Sequence, residues 1–250
     1  MRYFVQFSYF GKAYHGWQNQ PNAITVQQVL EGAFSTLLRH SVNLMAAGRT
    51  DSGVHAKEMF AHFESDEIED TSNLVYRLNA LLPDSIAVQF IFRVSDDAHA
   101  RFDAVERTYE YWIVQEKNPF YSDLAYYVKH PLDIRSMNNA ASILLQFEDF
   151  ECFSKSNSDV MTYRCTIKNA VWERKEDKLI FTITADRFLR NMVRAVVGTL
   201  LEVGIGKTKP DDVKTIINSK DRSNAGPSVP AKGLYLTSVL YPEKITEKHG

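Results

Sequence analysis

Hydrophobic and polar positions alternate along residues 2–10, with Tyr3, Val5, Phe7 and Tyr9 on one side, and a period of two predicts a strand. After a glycine-containing stretch the period changes. In TVQQVLEGAFSTLLRH, the residues Val26, Val29, Leu30, Ala33, Phe34, Leu37 and Leu38 recur at three- and four-residue steps behind Thr25, a candidate N-cap. That pattern predicts an amphipathic helix. Strands are predicted at 42–48 and 57–64, a short helix at 71–83 ended by Pro83, and another strand at 85–94. The order strand, helix, strand, strand, helix, strand is that of the split βαββαβ unit.

The same order recurs after the polar connector SDDAHARFDA (95–104). A strand is predicted at 107–114, a helix at 134–147, strands at 163–174 and 178–185, a helix at 188–203 and a last strand at 234–241. The two halves share this order but no visible sequence repeat. The expected fold is therefore α+β: two ferredoxin-like (βαββαβ, RRM-like) halves whose antiparallel sheets join around a central cleft, with domains at 1–104 and 105–250. Three stretches, 9–23, 117–131 and 220–233, read as loops by their glycine, proline and asparagine content. They are long for plain connections in a compact domain. Their aromatics Tyr14, Trp17, Phe120 and Tyr121 predict that they are packed.

Composition narrows the function classes. A chain of 250 residues, 44% hydrophobic and 24% charged, is neither disordered nor fibrous. The start, MRYFVQFSYF, lacks the uninterrupted apolar core of a signal peptide, and no apolar run approaches the roughly 18 residues that a membrane span needs. A cytoplasmic protein with no membrane partner is expected. The net charge of −2 means that any contact with a polyanion must use clustered positive charge. Cys152 and Cys165, 13 positions apart, make neither a four-ligand zinc site nor a disulfide framework, and are expected as reduced, buried thiols.

Three places concentrate chemistry. The nonapeptide GRTDSGVHA (48–56) puts Asp51 two residues from Arg49 between two predicted strands, with Gly48 and Gly53 expected to relieve the backbone. A nearby guanidinium favours the ionised carboxylate. Spacing alone also admits a turn-stabilising aspartate with a surface ion pair. His55 and His62 could join Asp51 at a metal ion, although spacing places no further strong ligand. With the helix expected at 188–203 taken from residue 187, Arg187, Arg190 and Arg194 fall on one edge near a positive N-terminus, where cations call for anions such as carboxylates or phosphates; a solvated edge is the plain alternative. Tyr109 and Tyr111 share a face of the strand RTYEYWIV, and Leu234 opens the last strand; core packing is the default reading of all three.

Taken together, GRTDSGVHA, the preceding YFGKAYHGWQNQ and TVQQVLE, the central RTYEY, and the later FLRNMVRAVVG and AGPSVPAKGLYL resemble, in order and over nearly the whole chain, the tRNA pseudouridine synthase A family. The resemblance implies isomerisation of uridine to pseudouridine at positions 38, 39 and 40 of the tRNA anticodon stem-loop, without metal or organic cofactor, by a homodimer that binds RNA across both subunits. It implies Asp51 as the catalytic aspartate, Arg49 as the arginine linked to base flipping and Arg194 as the basic partner of the aspartate. Tyr109 would stack on the target base and Leu234 would line the pocket; apart from the resemblance, the clustered arginine edge makes Arg187 and Arg190 candidates for binding RNA phosphates. Ser52 and Val229 stand where the family often has alanine.

Two other classes compete. The βαββαβ plan with aromatics on the sheet also suits a non-catalytic RNA-binding module, although RTYEYWIV does not match the RNP1 signature. A metal-dependent hydrolase would use Asp51, His55 and His62.

Overall fold

The computed structural model describes residues 1–155 and 161–246. The chain divides into two compact units, Met1–Glu106 with Leu236–Gly250, and Arg107–Tyr235. Strand β9 (Leu234–Leu240) begins in the second unit and ends in the first.

The first unit contains β1 (Arg2–Tyr9), α1 (Val26–Leu38), β2 (Met45–Ala46), β3 (His55–Glu64), α2 (Thr71–Leu81) and β4 (Ile86–Val94). Its sheet runs β4-β1-β3-β9, with β2 also on β3, and β1 is antiparallel to both β3 and β4. Helix α1 starts where predicted: the Thr25 hydroxyl accepts the Gln28 N–H, and Val26, Leu30, Ala33 and Phe34 are buried. Helix α2 is capped by Asp70 and stops at Leu82, which is extended because the following Pro83 disfavours helical geometry there. The strand expected at 42–48 shrinks to two residues because side chains take its backbone donors. Ser35 Oγ accepts the Val42 N–H (3.0 Å) and Glu31 Oε1 accepts the Leu44 N–H (2.9 Å). Aromatic rings fill the core, with Phe7 stacked on Trp17 at 5.3 Å and Phe34 edge-on to Phe63 at 4.9 Å.

The second unit contains β5 (Glu106–Val114), β6 (Tyr126–Tyr127), α3 (Ile134–Leu144), β7 (Ile167–Lys175), β8 (Lys178–Ala185), α4 (Met192–Gly204) and α5 (Asp212–Ser219). β8 is antiparallel to both β5 and β7, and the short β6 runs parallel to β5. Helix α4 is apolar nearly all round and buried to match. Cys152 and Cys165 are free and buried, and burial pushes each thiol up to about 12. Helix α5 was not foreseen, although Val213 and Ile217, one turn apart behind two aspartates, carry its signal. Mixed helix and mostly antiparallel sheet make the protein α+β.

The packed-loop expectation divides. Tyr14 and Trp17 are buried, but Phe120, in the short 3-10 turn Pro119–Tyr121, is 86% exposed. Tyr121 is half-buried, its hydroxyl accepting from Lys178 Nζ at 3.0 Å.

Helix α4 and the loop 225–230 meet without side chains between them. A Cβ on Gly198 would stand 1.7 Å from the Pro227 carbonyl oxygen, and one on Gly226 would stand 2.7 Å from the α4 backbone. Gly198→Ala is therefore expected to cost about 1–3 kcal/mol, the usual range for overpacking. Gly32→Ala in α1, where nothing lies within 4 Å, is expected to gain about 1 kcal/mol from helix propensity. Urea midpoints of the two variants check both signs.

Candidate active site

Asp51 sits at the first position of a turn closed by the Val54 N–H donating to the Asp51 carbonyl at 3.1 Å, with Gly53 in the left-handed region at φ 78°. Gly53 is thus the glycine that this turn needs. Gly48 has no positive φ and open space around it, so the expectation that it relieves the backbone is not met.

What holds the turn is the stretch 9–17. The Trp17 N–H donates to the Thr50 carbonyl (3.2 Å), and the Gly53 N–H (3.2 Å) and Ser52 hydroxyl (3.3 Å) both donate to the Tyr14 carbonyl. Tyr9 OH and Thr50 Oγ1 share a buried hydrogen bond of 2.8 Å. Two glycines permit the approach. A Cβ on Gly16, itself at φ 85°, would lie 2.4 Å from the Thr50 oxygen, and one on Gly11 would lie 1.9 Å from the Val54 oxygen. The result is a half-buried Asp51 on a pinned turn, with Thr50 buried beside it and Arg49 exposed.

His55 belongs to the clamp. Its Nδ1 accepts the Gly11 N–H at 2.9 Å, and Phe10 stacks on its ring at 4.4 Å. His62 lies seven residues further along β3, roughly 23 Å at strand spacing. Its Nδ1 accepts the Ala100 N–H at 3.1 Å. One ion cannot bridge the two imidazoles, so the metal site of Asp51, His55 and His62 is overturned.

In the second unit, Tyr109 lies opposite Ile183 of β8, half-buried, with its ring edge-on to Phe188 at 5.2 Å. Tyr111 is core: it is buried and its hydroxyl donates to the Pro230 carbonyl at 2.8 Å. Leu234 is buried, next to Gly233, where a Cβ would touch the Tyr111 ring at 2.8 Å. The common arginine edge is not present. Helix α4 begins at Met192 because Asn191 takes a left-handed conformation at φ 67°, which leaves Arg187 and Arg190 in the preceding loop and only Arg194 on the helix. Arg187 is half-buried, and its N–H donates to Asp186 Oδ1 at 2.7 Å; Arg190 is exposed. Arg194 is held by Val229 from both ends: its Nε donates to the Val229 carbonyl at 2.7 Å, and its own carbonyl accepts the Val229 N–H at 3.2 Å.

Known proteins place these features in a family. A sequence model of the family described as tRNA pseudouridine synthase matches residues 140–242. The curated tRNA pseudouridine synthase A of Parabacteroides distasonis is 50% identical over 245 residues, covering 98% of this chain and 97% of its own length. That of Bacteroides fragilis is 49% identical over 248 residues, 98% of each chain. The chain belongs to the tRNA pseudouridine synthase A family. The same name is carried by a protein of Thermoanaerobacter sp., 42% identical over 93% of this chain and 96% of its own. Within this synthase family, the residues that sequence reasoning passed over are the ones that hold others in place. Gly11 and Gly16 are visible as glycines between aromatics, but the partners they approach are far along the chain. Val229 stood out only as a departure from alanine, whereas its carbonyl orients Arg194.

His62 also gives the first unit a pH response. Its burial, then the charges of His99 and Arg2, lower its pKa from 6.5 to about 4. Between these values the unfolded chain binds a proton that the folded chain refuses, so this contribution to stability is complete above pH 6.5 and fades as the pH falls towards 4. The melting midpoint is expected to drop across that window. His62→Asn, whose side-chain carbonyl can still accept the Ala100 N–H, should drop less steeply; a pH series of thermal melts reads the difference, and equal slopes contradict it.

Proposed function

We propose that this chain isomerises uridine to pseudouridine in the tRNA anticodon stem-loop, at positions 38, 39 and 40, and that Asp51 carries the reaction. The reaction breaks the bond from ribose C1′ to uracil N1, turns the base and rejoins it through C5. The C5 proton is lost and N1 gains one, so no atom is added and no electron donor is needed. This balance requires neither metal nor organic cofactor. A carboxylate serves it either as a nucleophile at the sugar or as a base for a sugar proton. The observation that carries the reading is the half-buried Asp51 on a turn pinned by four hydrogen bonds to Tyr9, Tyr14 and Trp17. Chemistry at a fixed sugar carbon gains most from a group whose position is already set.

The other roles follow from what each side chain offers. The target nucleotide must leave its stack, which costs a few kcal/mol. Tyr109, whose ring is partly exposed, suits stacking on that base, a contact worth about 1–3 kcal/mol. We assign Arg49, exposed two residues from Asp51, to base flipping. Arg194 serves as the basic partner of the aspartate, Leu234 as apolar lining, and Arg187 and Arg190 as phosphate contacts. Local guanidinium groups of this kind reconcile RNA binding with a net charge of −2.

We read the sequence as two ferredoxin-like domains, the N-terminal one (1–104) carrying the aspartate turn and the C-terminal one (105–250) the stacking tyrosine and the arginines. In support, β1, α1, β2, β3, α2 and β4 follow the βαββαβ order with β4-β1-β3 adjacent, and β5, β8 and β7 are neighbours in the other unit. A homodimer working in the cytoplasm completes the reading. Among the described residues no helix is long and apolar enough to cross a membrane.

Asp51→Asn keeps size and shape and removes the charge. Release of tritium from C5-labelled uridine in an anticodon-arm transcript is expected to fall to background, with RNA affinity within about twofold because the contacts that position the RNA survive. Release at the wild-type rate would overturn the assignment, and unchanged binding with no release from the wild-type protein would leave an RNA-binding module.

A further inference from the structure

Outside the residues assigned above, the turn 222–229 of the second unit is knit together by side-chain hydrogen bonds. Arg222 folds back over it. Its Nη1 donates to the carbonyls of Ala225 (3.3 Å) and Gly226 (3.1 Å), and its Nη2 donates to Ser228 Oγ at 2.9 Å. Ser228 Oγ also accepts from Asn191 Nδ2 at 2.6 Å. The next residue is Val229, whose carbonyl holds Arg194 Nε.

The turn is anchored to α4 one helical turn further on. The Gly226 N–H donates to the buried Thr199 Oγ1 at 2.8 Å, and that hydroxyl donates to the Ala195 carbonyl at 3.0 Å. The contact of Gly198 with Pro227 leaves no room to slide. From residue 226 to residue 229 the chain thus runs along α4, fixed at Thr199, at Asn191 and at Arg194. Asn191 is in the left-handed region, a conformation that asparagine adopts more readily than most residues and that costs energy to hold. Its side chain is spent on Ser228 rather than on capping the helix it begins.

We propose that Arg222 is a positioning residue for Arg194. It ties three acceptors of one turn into a single shape, so that the Val229 carbonyl stands at one place and the guanidinium it holds can present its Nη end in one direction only. This inference rests on the assignment of Arg194 to the site. The planar fork of Arg222 matters more than its charge, because its donors leave from two separate nitrogens, Nη1 towards the two carbonyls and Nη2 towards Ser228, whereas an ammonium group radiates all its N–H bonds from a single nitrogen.

The test uses Arg222→Lys, Ser228→Ala and Arg194→Lys, with single-turnover pseudouridine formation on an anticodon-arm transcript, affinity for the same transcript, and melting midpoints. Arg222→Lys is expected to slow the chemical step about tenfold or more while RNA affinity stays within about twofold, since its charge is retained and only geometry is lost. Ser228→Ala should act in the same direction with a smaller effect, and reads the same network should Arg222→Lys fold poorly. In the Arg194→Lys background, which lacks the Nε–H that Val229 holds, adding Arg222→Lys should cost less than about threefold more, because the two changes disable one arrangement. An equal loss in both backgrounds, with affinity and melting midpoint falling together, overturns the proposal and leaves Arg222 a structural residue. A wild-type rate for Arg222→Lys and Ser228→Ala beside a slow Arg194→Lys overturns the positioning role alone. A wild-type rate for Arg194→Lys overturns the assignment of Arg194 beneath it.

Discussion

Backbone-to-backbone contact between the stretch 9–17 and the turn 50–54 is the constraint on which the proposed chemistry depends. An aspartate on a glycine-containing turn would by itself sample many positions, and the entropy of fixing it would have to be supplied during the reaction. Here it is supplied on folding. Gly16 and Gly11 lie so close to the carbonyls of Thr50 and Val54 that no side chain fits between, and the hydrogen bonds from Trp17, Gly53 and Ser52 close the contact. The clamp is itself built on core: Trp17 stacks on Phe7 of β1, and His55 at the start of β3 receives the Gly11 N–H. The aspartate therefore inherits the rigidity of the sheet through backbone atoms.

The second unit uses the same device. Gly198 and Gly226 bring the loop 225–230 flush onto helix α4, Gly233 brings the following turn onto Tyr111, and Thr199 ties the loop to the helix. Arg194 and Tyr109 are thus presented by a buried helix and a paired strand, with the loop fixing the orientation of the arginine. In each unit, close backbone approach at glycines fixes a segment that bears or holds one of the assigned side chains. Arginine supplies the directional bonds, since one guanidinium can serve several acceptors in fixed directions.

Much of this was legible in the sequence. Periodicity placed α1, α2, β1, β4 and β5, with Thr25 marking the start of α1 and Pro83 the end of α2. It failed where side chains compete with the backbone. The strand before the nonapeptide was shortened by Ser35 and Glu31, and the arginine helix began late because Asn191 turned left-handed, which removed Arg187 and Arg190 from the helix face. Asp51 was singled out by its motif and by its neighbours, but the reason it is held could not be read locally. The contacts of Gly11, Gly16 and His55 join residues some forty positions apart, and no local pattern reports such pairs. The exposed Phe120 shows the converse: an aromatic in a proline-containing loop need not be packed.

The most direct test of the account is the activity of Gly16→Ala. A methyl group there meets the Thr50 carbonyl at 2.4 Å in a backbone conformation that alanine disfavours, so the turn bearing Asp51 must shift. With folding verified by circular dichroism, the account predicts pseudouridine formation slowed about tenfold or more while affinity for the anticodon-arm transcript changes by about twofold at most, the signature of lost positioning. Turnover at the wild-type rate would contradict it, because the aspartate would then act without the clamp.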